Sequence, residues 1–114
     1  VILILNWNLK KPGNLFMTDR GRKLLSDILI AIDLIEDFRY GINDFVSYQK
    51  DFKTKSAIER QLGIIGEAVN KYRLEGNPEL VHSRKIINFR NRLIHSYDSI
   101  DDSIVWVIPL LVIK

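Results

Sequence analysis

Cysteine is absent from the 114-residue chain, and histidine, proline and methionine number only two, three and one. The lack of cysteine excludes disulfides, zinc ribbons and a cysteine nucleophile. The longest apolar run, VILIL at the start, is far shorter than the roughly 18 residues of a membrane span and lacks the features of a secretory signal. We therefore expect a cytoplasmic protein with no membrane segment. Because His82 and His95 lie in no cluster with Asp or Glu at ligand spacing, we expect no metal and no cofactor.

Apolar residues make up 46% of the chain and charged residues 27%, which is typical of one globular domain. The net charge of +3 is not by itself a sign of nucleic-acid binding. Two of the 17 basic residues, Lys10 and Lys11, lie near the start, so the part from Met17 onward holds 15 basic and 14 acidic residues. The distribution of charge matters more than its sum.

Residues 1–16 differ from the rest because they have no helical period and contain Pro12-Gly13-Asn14 before the single methionine, Met17. We interpret them as an atypical leader, such as an upstream extension, with an edge strand or docking arm as the alternative. Residues 17–114 are then the folded domain.

Apolar residues recur with a helical period in several segments of that domain. Thr18 or Asp19 is expected to cap a helix that ends at Gly41, and Asn43 to cap a brief one. A long helix is predicted from about Thr54 to Tyr72 and another from about Ser83 to His95. A last helix begins near Asp101, and Pro109 should end or kink it. The apolar positions are Leu24, Leu25, Ile28, Ile32, Ile35 and Phe38, then Ile58, Leu62, Ile65, Val69 and Tyr72, then Ile86, Ile87, Phe89, Leu93 and Ile94.

These segments predict an all-α, single-domain, up-and-down bundle of four to five helices. Gly63 and Gly66 lie beside the apolar stripe of the second long helix, where each costs about 1 kcal/mol of helix propensity relative to alanine. We expect the close approach of another helix to compensate for this loss of helix propensity. Trp106 is expected to pack in the core or in a dimer interface.

The segment SRKIINFRNRLIHSY at residues 83–97 is the most unusual, because no acidic residue lies between Glu79 and Asp98. Its basic side chains either form a phosphate-binding patch or are simply a solvated helix face. His95 is near the end of this helix, and its imidazole side chain can both accept and donate a proton. Arg90 lies five residues earlier, about 140° around a straight helix, so the two would converge on one phosphate more easily across a twofold axis. The basic residues of the segment are Arg84, Lys85, Arg90 and Arg92.

The octamer RNRLIHSY, Arg90 to Tyr97, resembles the signature of HEPN-domain ribonucleases, specifically the HepT-like toxin family. The opening MTDRGRKLLSDILIAIDLIEDF, the segment IIGEAVNKY at residues 64–72 and the Trp with a later Pro-Leu near the C-terminus are similar to that family in the same order. The resemblance covers nearly everything from Met17 onward. It implies a small helical bundle that forms a homodimer and joins two Arg/His motifs in a basic cleft.

The resemblance also implies metal-independent cleavage of RNA by a toxin paired with an MNT-type nucleotidyltransferase antitoxin. That partner would neutralise the toxin by transferring AMP to a motif tyrosine, for which Tyr97 is the candidate. Tyr97 could instead be a packing aromatic or a nucleotide contact. The competing hypothesis is a non-catalytic helical module that binds nucleotide or substrate for a nucleotidyltransferase.

The chemistry of the side chains agrees with RNA cleavage. His95 can move protons, Arg90 can stabilise the phosphate through its fixed fork of donors, and Asn91 can orient either. Glu67 either supports the site or forms a structural ion pair with Arg90 or Arg92. The further candidates for RNA binding are Arg84, Lys85 and Arg92.

Overall fold

The computed structural model describes residues 18–80, 82–95 and 101–113, and this part of the chain forms five α-helices and no strand. The predicted all-α class is confirmed. The predicted leader, residues 1–16, lies outside the described residues. In chain order the helices are α1 (Asp19–Arg39), α2 (Phe45–Lys50), α3 (Phe52–Leu74), α4 (Ser83–His95) and α5 (Asp102–Ile113).

Side-chain oxygens cap the first three helices. Thr18 accepts a hydrogen bond from the amide of Gly21 at 3.0 Å, as its position predicted. The prediction of Asn43 as the cap of α2 is wrong by one residue, because Asp44 accepts from the Ser47 amide at 2.8 Å. Asp51 caps α3, which therefore begins two residues before the predicted Thr54.

The later helices match the predictions in position and differ in one end. Helix α4 has the predicted bounds, while α5 does not end at Pro109 but continues to Ile113. An interior proline removes its own N–H donor and crowds the carbonyl four residues earlier, which favours a bend. The helix nevertheless continues on both sides of Pro109. Among the described residues, no helix combines the length and the apolar character that crossing a membrane requires.

Helices α1 and α3 form the centre of the bundle and run antiparallel, because Arg20 at the start of α1 pairs with Glu75 just after α3. Their predicted apolar stripes are buried, except that Phe38 is only partly covered. Helix α4 packs on α3 and buries the ring of Phe89, whereas Ile94 is half exposed. The buried apolar residues are Leu24, Leu25, Ile28, Ala31, Ile32, Ile35, Tyr48, Ile58, Leu62, Ile65, Ala68, Val69, Tyr72, Leu80, Phe89 and Val105.

Aromatic, cation–π and ionic contacts hold helix α5 to the end of the bundle that lies away from the start of α4. The ring of Trp106 lies 5.2 Å from that of Tyr48 and 4.2 Å from the guanidinium of Arg39. Lys55 of α3 forms an ion pair with Asp102 at 2.9 Å. Trp106 therefore packs within the chain, and burial raises the pKa of the Tyr48 hydroxyl.

Candidate active site

The motif helix α4 lies close against the backbone of α3 at Gly66. A Cβ at this position would lie 2.8 Å from Cγ of Arg90 and 3.3 Å from the carbonyl oxygen of Ile86. Only a residue without a side chain allows that approach, so the predicted close contact is confirmed at Gly66. It is not found at Gly63, where nothing lies within 4 Å of the same atom. The aliphatic part of Arg90 is thus packed against the backbone of α3.

Arg90 is half buried, and its guanidinium donates a hydrogen bond to Oδ1 of Asn91 at 3.1 Å. The structure therefore brings together two of the three residues predicted to be catalytic. His95 is the last residue of α4 and is exposed. Along the helix it lies about 7.5 Å beyond Arg90 and about 140° around the axis, as expected for residues five apart.

An exposed polar face runs the length of α4. Lys85 and Arg92 lie beside it, and both are exposed. Because residues three or four apart share a helix face, this surface connects the first turn of α4 to His95. The four residues of the face, which we call the polar face, are Arg84, Asn88, Asn91 and His95, all exposed.

Glu67 does not pair with the motif. Its carboxylate lies 3.2 Å from Nζ of Lys71, one turn later on the same exposed surface of α3. The expected ion pair with Arg90 or Arg92 is absent from the described residues because Gly66 occupies the position that faces α4. A neighbouring residue is turned about 100° away from it. The pairing of Glu67 with Lys71 therefore gives no support for a role of Glu67 in the site.

Arg92 has a carboxylate nearby in Asp101. Hydrogen bonds from the side chain and amide of Ser103 lower the pKa of Asp101, and the positive charge of Arg92 lowers it further. Tyr97, the predicted AMP acceptor, lies outside the described residues. No group of three or more His, Asp and Glu side chains that could hold a metal ion is found in the part of the chain that the structure describes.

Two residues, one on the polar face and one beside it, were not predicted from the sequence. Arg73 in the last turn of α3 and Asn88 in the middle of α4 line the same groove as Arg84. The signal for Arg73 is its spacing of seven residues from Gly66, which puts both on the stripe of α3 that faces α4. This spacing can be recognised as a signal only when the structure has shown that Gly66 contacts α4.

Comparison with known proteins gives the same assignment as the motif. The family model for ribonuclease HepT-like proteins matches residues 28–109, which is most of the chain and includes all of α4. The chain belongs to the HepT-like family. A HepT-like relative from Thermococcus cleftensis, described as a probable ribonuclease HepT, is 39% identical over 87 residues, covering 72% of this chain and 76% of its own.

A second relative, from Methanocaldococcus jannaschii, carries the provisional name of an RNase. It is 37% identical over 97 residues, which cover 78% of this chain and 74% of its own. No solved structure gives a significant match. The HepT-like assignment agrees with the helical architecture and with the resemblance of the octamer at Arg90 to Tyr97.

Proposed function

We propose that this protein is a metal-independent endoribonuclease and the toxin of a toxin–antitoxin pair. The observation that carries the proposal is the position of Arg90, Asn91 and His95 on one continuous helix without acidic residues, in a member of a ribonuclease family. Arg90 is fixed by packing on Gly66, while His95 stays open to a substrate. A fixed cation beside an exposed acid/base group suits catalysis on a phosphodiester.

In the proposed reaction, His95 takes the proton of the ribose 2′-hydroxyl, and the 2′-oxygen attacks the adjacent phosphorus. The bond to the 5′-oxygen breaks, and that oxygen leaves with a proton from a second acid. Arg90 stabilises the extra negative charge on the phosphorus oxygens through its planar set of donors. Because each chain offers one motif histidine, the second acid would come from a second copy.

A homodimer is therefore part of the proposal, and the flank of α4 beside Arg90 suits it. Ile87 and Ile94 lie within about 60° of Arg90 around the helix. Ile87 is partly buried, and Ile94 is 50% exposed. A twofold contact along this apolar flank would bring the two Arg90 side chains toward each other.

The antitoxin in this proposal is an MNT-type nucleotidyltransferase that transfers AMP from ATP to Tyr97. The hydroxyl oxygen of Tyr97 loses its proton and bonds to the α-phosphorus of ATP, and pyrophosphate leaves. Tyr97 follows His95 by two residues, so an AMP group there would add negative charge and bulk close to the acid/base group. RNA would then be excluded from the basic surface by charge and by volume.

The first experiment is RNA cleavage in EDTA by the purified protein, by His95→Ala and by the matched charge-removal variants Arg90→Gln and Arg60→Gln. Arg60 is exposed on α3, about 160° around that helix from the buried Leu62. We expect cleavage to be lost in His95→Ala, to fall at least a hundredfold in Arg90→Gln, and to persist in Arg60→Gln.

Helical circular dichroism of each variant shows that the fold is intact. Full cleavage by a folded His95→Ala variant would contradict the proposal. If the wild-type protein cleaves nothing and mass spectrometry shows Tyr97 unmodified, the non-catalytic nucleotide-binding module is the better description.

A further inference from the structure

Two adjoining grooves lie at the start of α4, away from His95. The larger has a volume of about 550 Å³ and is lined by residues of the loop before α4 and of its first two turns, including Ser83 and Lys85. The smaller, about 190 Å³, opens between α4 and the last turn of α3, where Arg73 lines it. Arg84 and Asn88 line both grooves and therefore join them into one surface, which we call the double groove.

Arg73 gives the double groove a cation from a second helix. It lies two turns after Gly66 on the stripe of α3 that faces α4, so the same close helix approach that fixes Arg90 also brings Arg73 toward Arg84. The guanidinium of Arg73 donates a hydrogen bond to the neutral side chain of Asn70 at 3.1 Å, which orients it without cancelling its charge.

The charge of the double groove suits an anion. Among its described lining residues, Arg73, Arg84 and Lys85 are cationic, and Glu79 is the single carboxylate. Glu79 accepts a hydrogen bond from the hydroxyl of Ser83 at 2.8 Å. Three cations against one anion leave an excess of positive charge, and Asn88 adds neutral hydrogen-bonding capacity.

The polar face of α4 connects the double groove to His95 without interruption. Arg84 and His95 are eleven residues apart, which is about 16 Å along a helix. That distance corresponds to no more than about five nucleotides of one strand, at the stacked rise of about 3.4 Å per nucleotide.

We infer that the double groove binds a phosphate of the RNA strand a few nucleotides from the cleaved bond, with Arg73 and Arg84 as its ligands. The inference rests on the proposed cleavage at Arg90 and His95, and it makes the enzyme selective for RNA long enough to reach both sites. A dinucleotide would occupy only the cleavage site at Arg90 and His95, whereas an octanucleotide would occupy both that site and the double groove.

The kinetic test compares cleavage of a dinucleotide and of a single-stranded octaribonucleotide by the wild-type protein, Arg73→Gln, Arg84→Gln and the control Arg60→Gln. We expect each groove variant to lower kcat/KM for the octamer about tenfold, the usual effect of losing one charged hydrogen bond. Cleavage of the dinucleotide and all activities of Arg60→Gln should stay unchanged. An equal loss on both substrates, or no loss on either, would overturn the inference.

A binding test separates this inference from the proposed nuclease activity. In a His95→Ala background, the affinity for the labelled octamer is measured by fluorescence anisotropy over a series of salt concentrations. Removing Arg73 or Arg84 should reduce the slope of log K against log salt by about 0.7, the value for one lost phosphate contact on a single strand. Glu79→Gln should tighten binding, which loss of folding could not produce. Unchanged slopes would refute the double groove as an RNA site even if cleavage at His95 is established.

Discussion

Exchange of Gly66 for alanine tests the contact that positions the motif helix. In a helix interior the change from glycine to alanine gains about 1 kcal/mol of stability from propensity alone. At Gly66 the new methyl group would lie 2.8 Å from Arg90 Cγ and 3.3 Å from the backbone oxygen of Ile86. The backbone oxygen cannot move unless α4 moves, so we expect an overpacking cost of about 1–3 kcal/mol.

The matched control is Gly63→Ala, in the same helix and one turn earlier. Nothing lies within 4 Å of the new methyl group there, so this variant should be more stable than the wild-type protein by about 0.5–1 kcal/mol. Because the propensity gain is common to both variants, the difference between them isolates the steric cost. Gly66→Ala should therefore be less stable than Gly63→Ala by about 1–3 kcal/mol.

Urea unfolding followed by circular dichroism measures the free energies of unfolding, at one protein concentration because dimerisation would add to stability. Displacement of Arg90 should also lower RNA cleavage by Gly66→Ala under conditions where it is folded, while Gly63→Ala keeps its activity. Equal stabilities of the two variants, within about 0.5 kcal/mol, would show that α4 does not press on Gly66.

Three other predictions concern the rest of the fold. Arg39→Met should lower the free energy of unfolding by about 1–2 kcal/mol, because the cation above the ring of Trp106 and a hydrogen bond to its carbonyl are lost; an unchanged midpoint in urea would contradict this. Burial raises the pKa of Glu59, and the negative charge of Asp102 raises it to a smaller extent. The contribution of Glu59 to stability therefore falls as the pH rises through its pKa in the folded protein. Glu59→Gln should therefore stabilise the protein at pH 7 and have little effect in acid, and the reverse order of thermal midpoints would refute the reasoning. Hydrogen bonds lower the pKa of Asp51 below 3.8, so its capping contribution is full above that pH and is lost as the pH falls further; Asp51→Asn should flatten this acid limb of the stability curve.

The helices could be predicted from the sequence because their signals are local. The stripe from Ile58 to Tyr72 has one period and one buried face, and α4 has the predicted bounds since Gly76 and Pro78 separate it from α3. The error at the start of α2 falls where two local signals compete. Asn43 and Asp44 are both good caps, and only the path of the chain decides between them.

The arrangement of the site was less accessible from the sequence. The sequence does not distinguish Gly63 from Gly66. Only Gly66 lies where α4 crosses α3, so only there does a neighbouring helix leave no room for a side chain. The same uncertainty of rotation applies to Glu67, for which the sequence allows a position facing the motif, whereas the structure pairs it with Lys71. Arg73 was missed because it lies outside the acid-free segment and joins Arg84 only through the packing of two helices.

The helices differ in how many residues they bury, and this difference predicts the order in which they unfold. Helices α1 and α3 each bury seven residues, whereas α4 buries only Ser83 and Phe89. Amide hydrogens of α4 should therefore exchange through partial opening at a free energy below that of global unfolding, while those of α1 and α3 exchange last. Any partner that covers α4, whether RNA or a second copy, would slow that exchange, so ligand binding and the folding of this helix are a single coupled equilibrium.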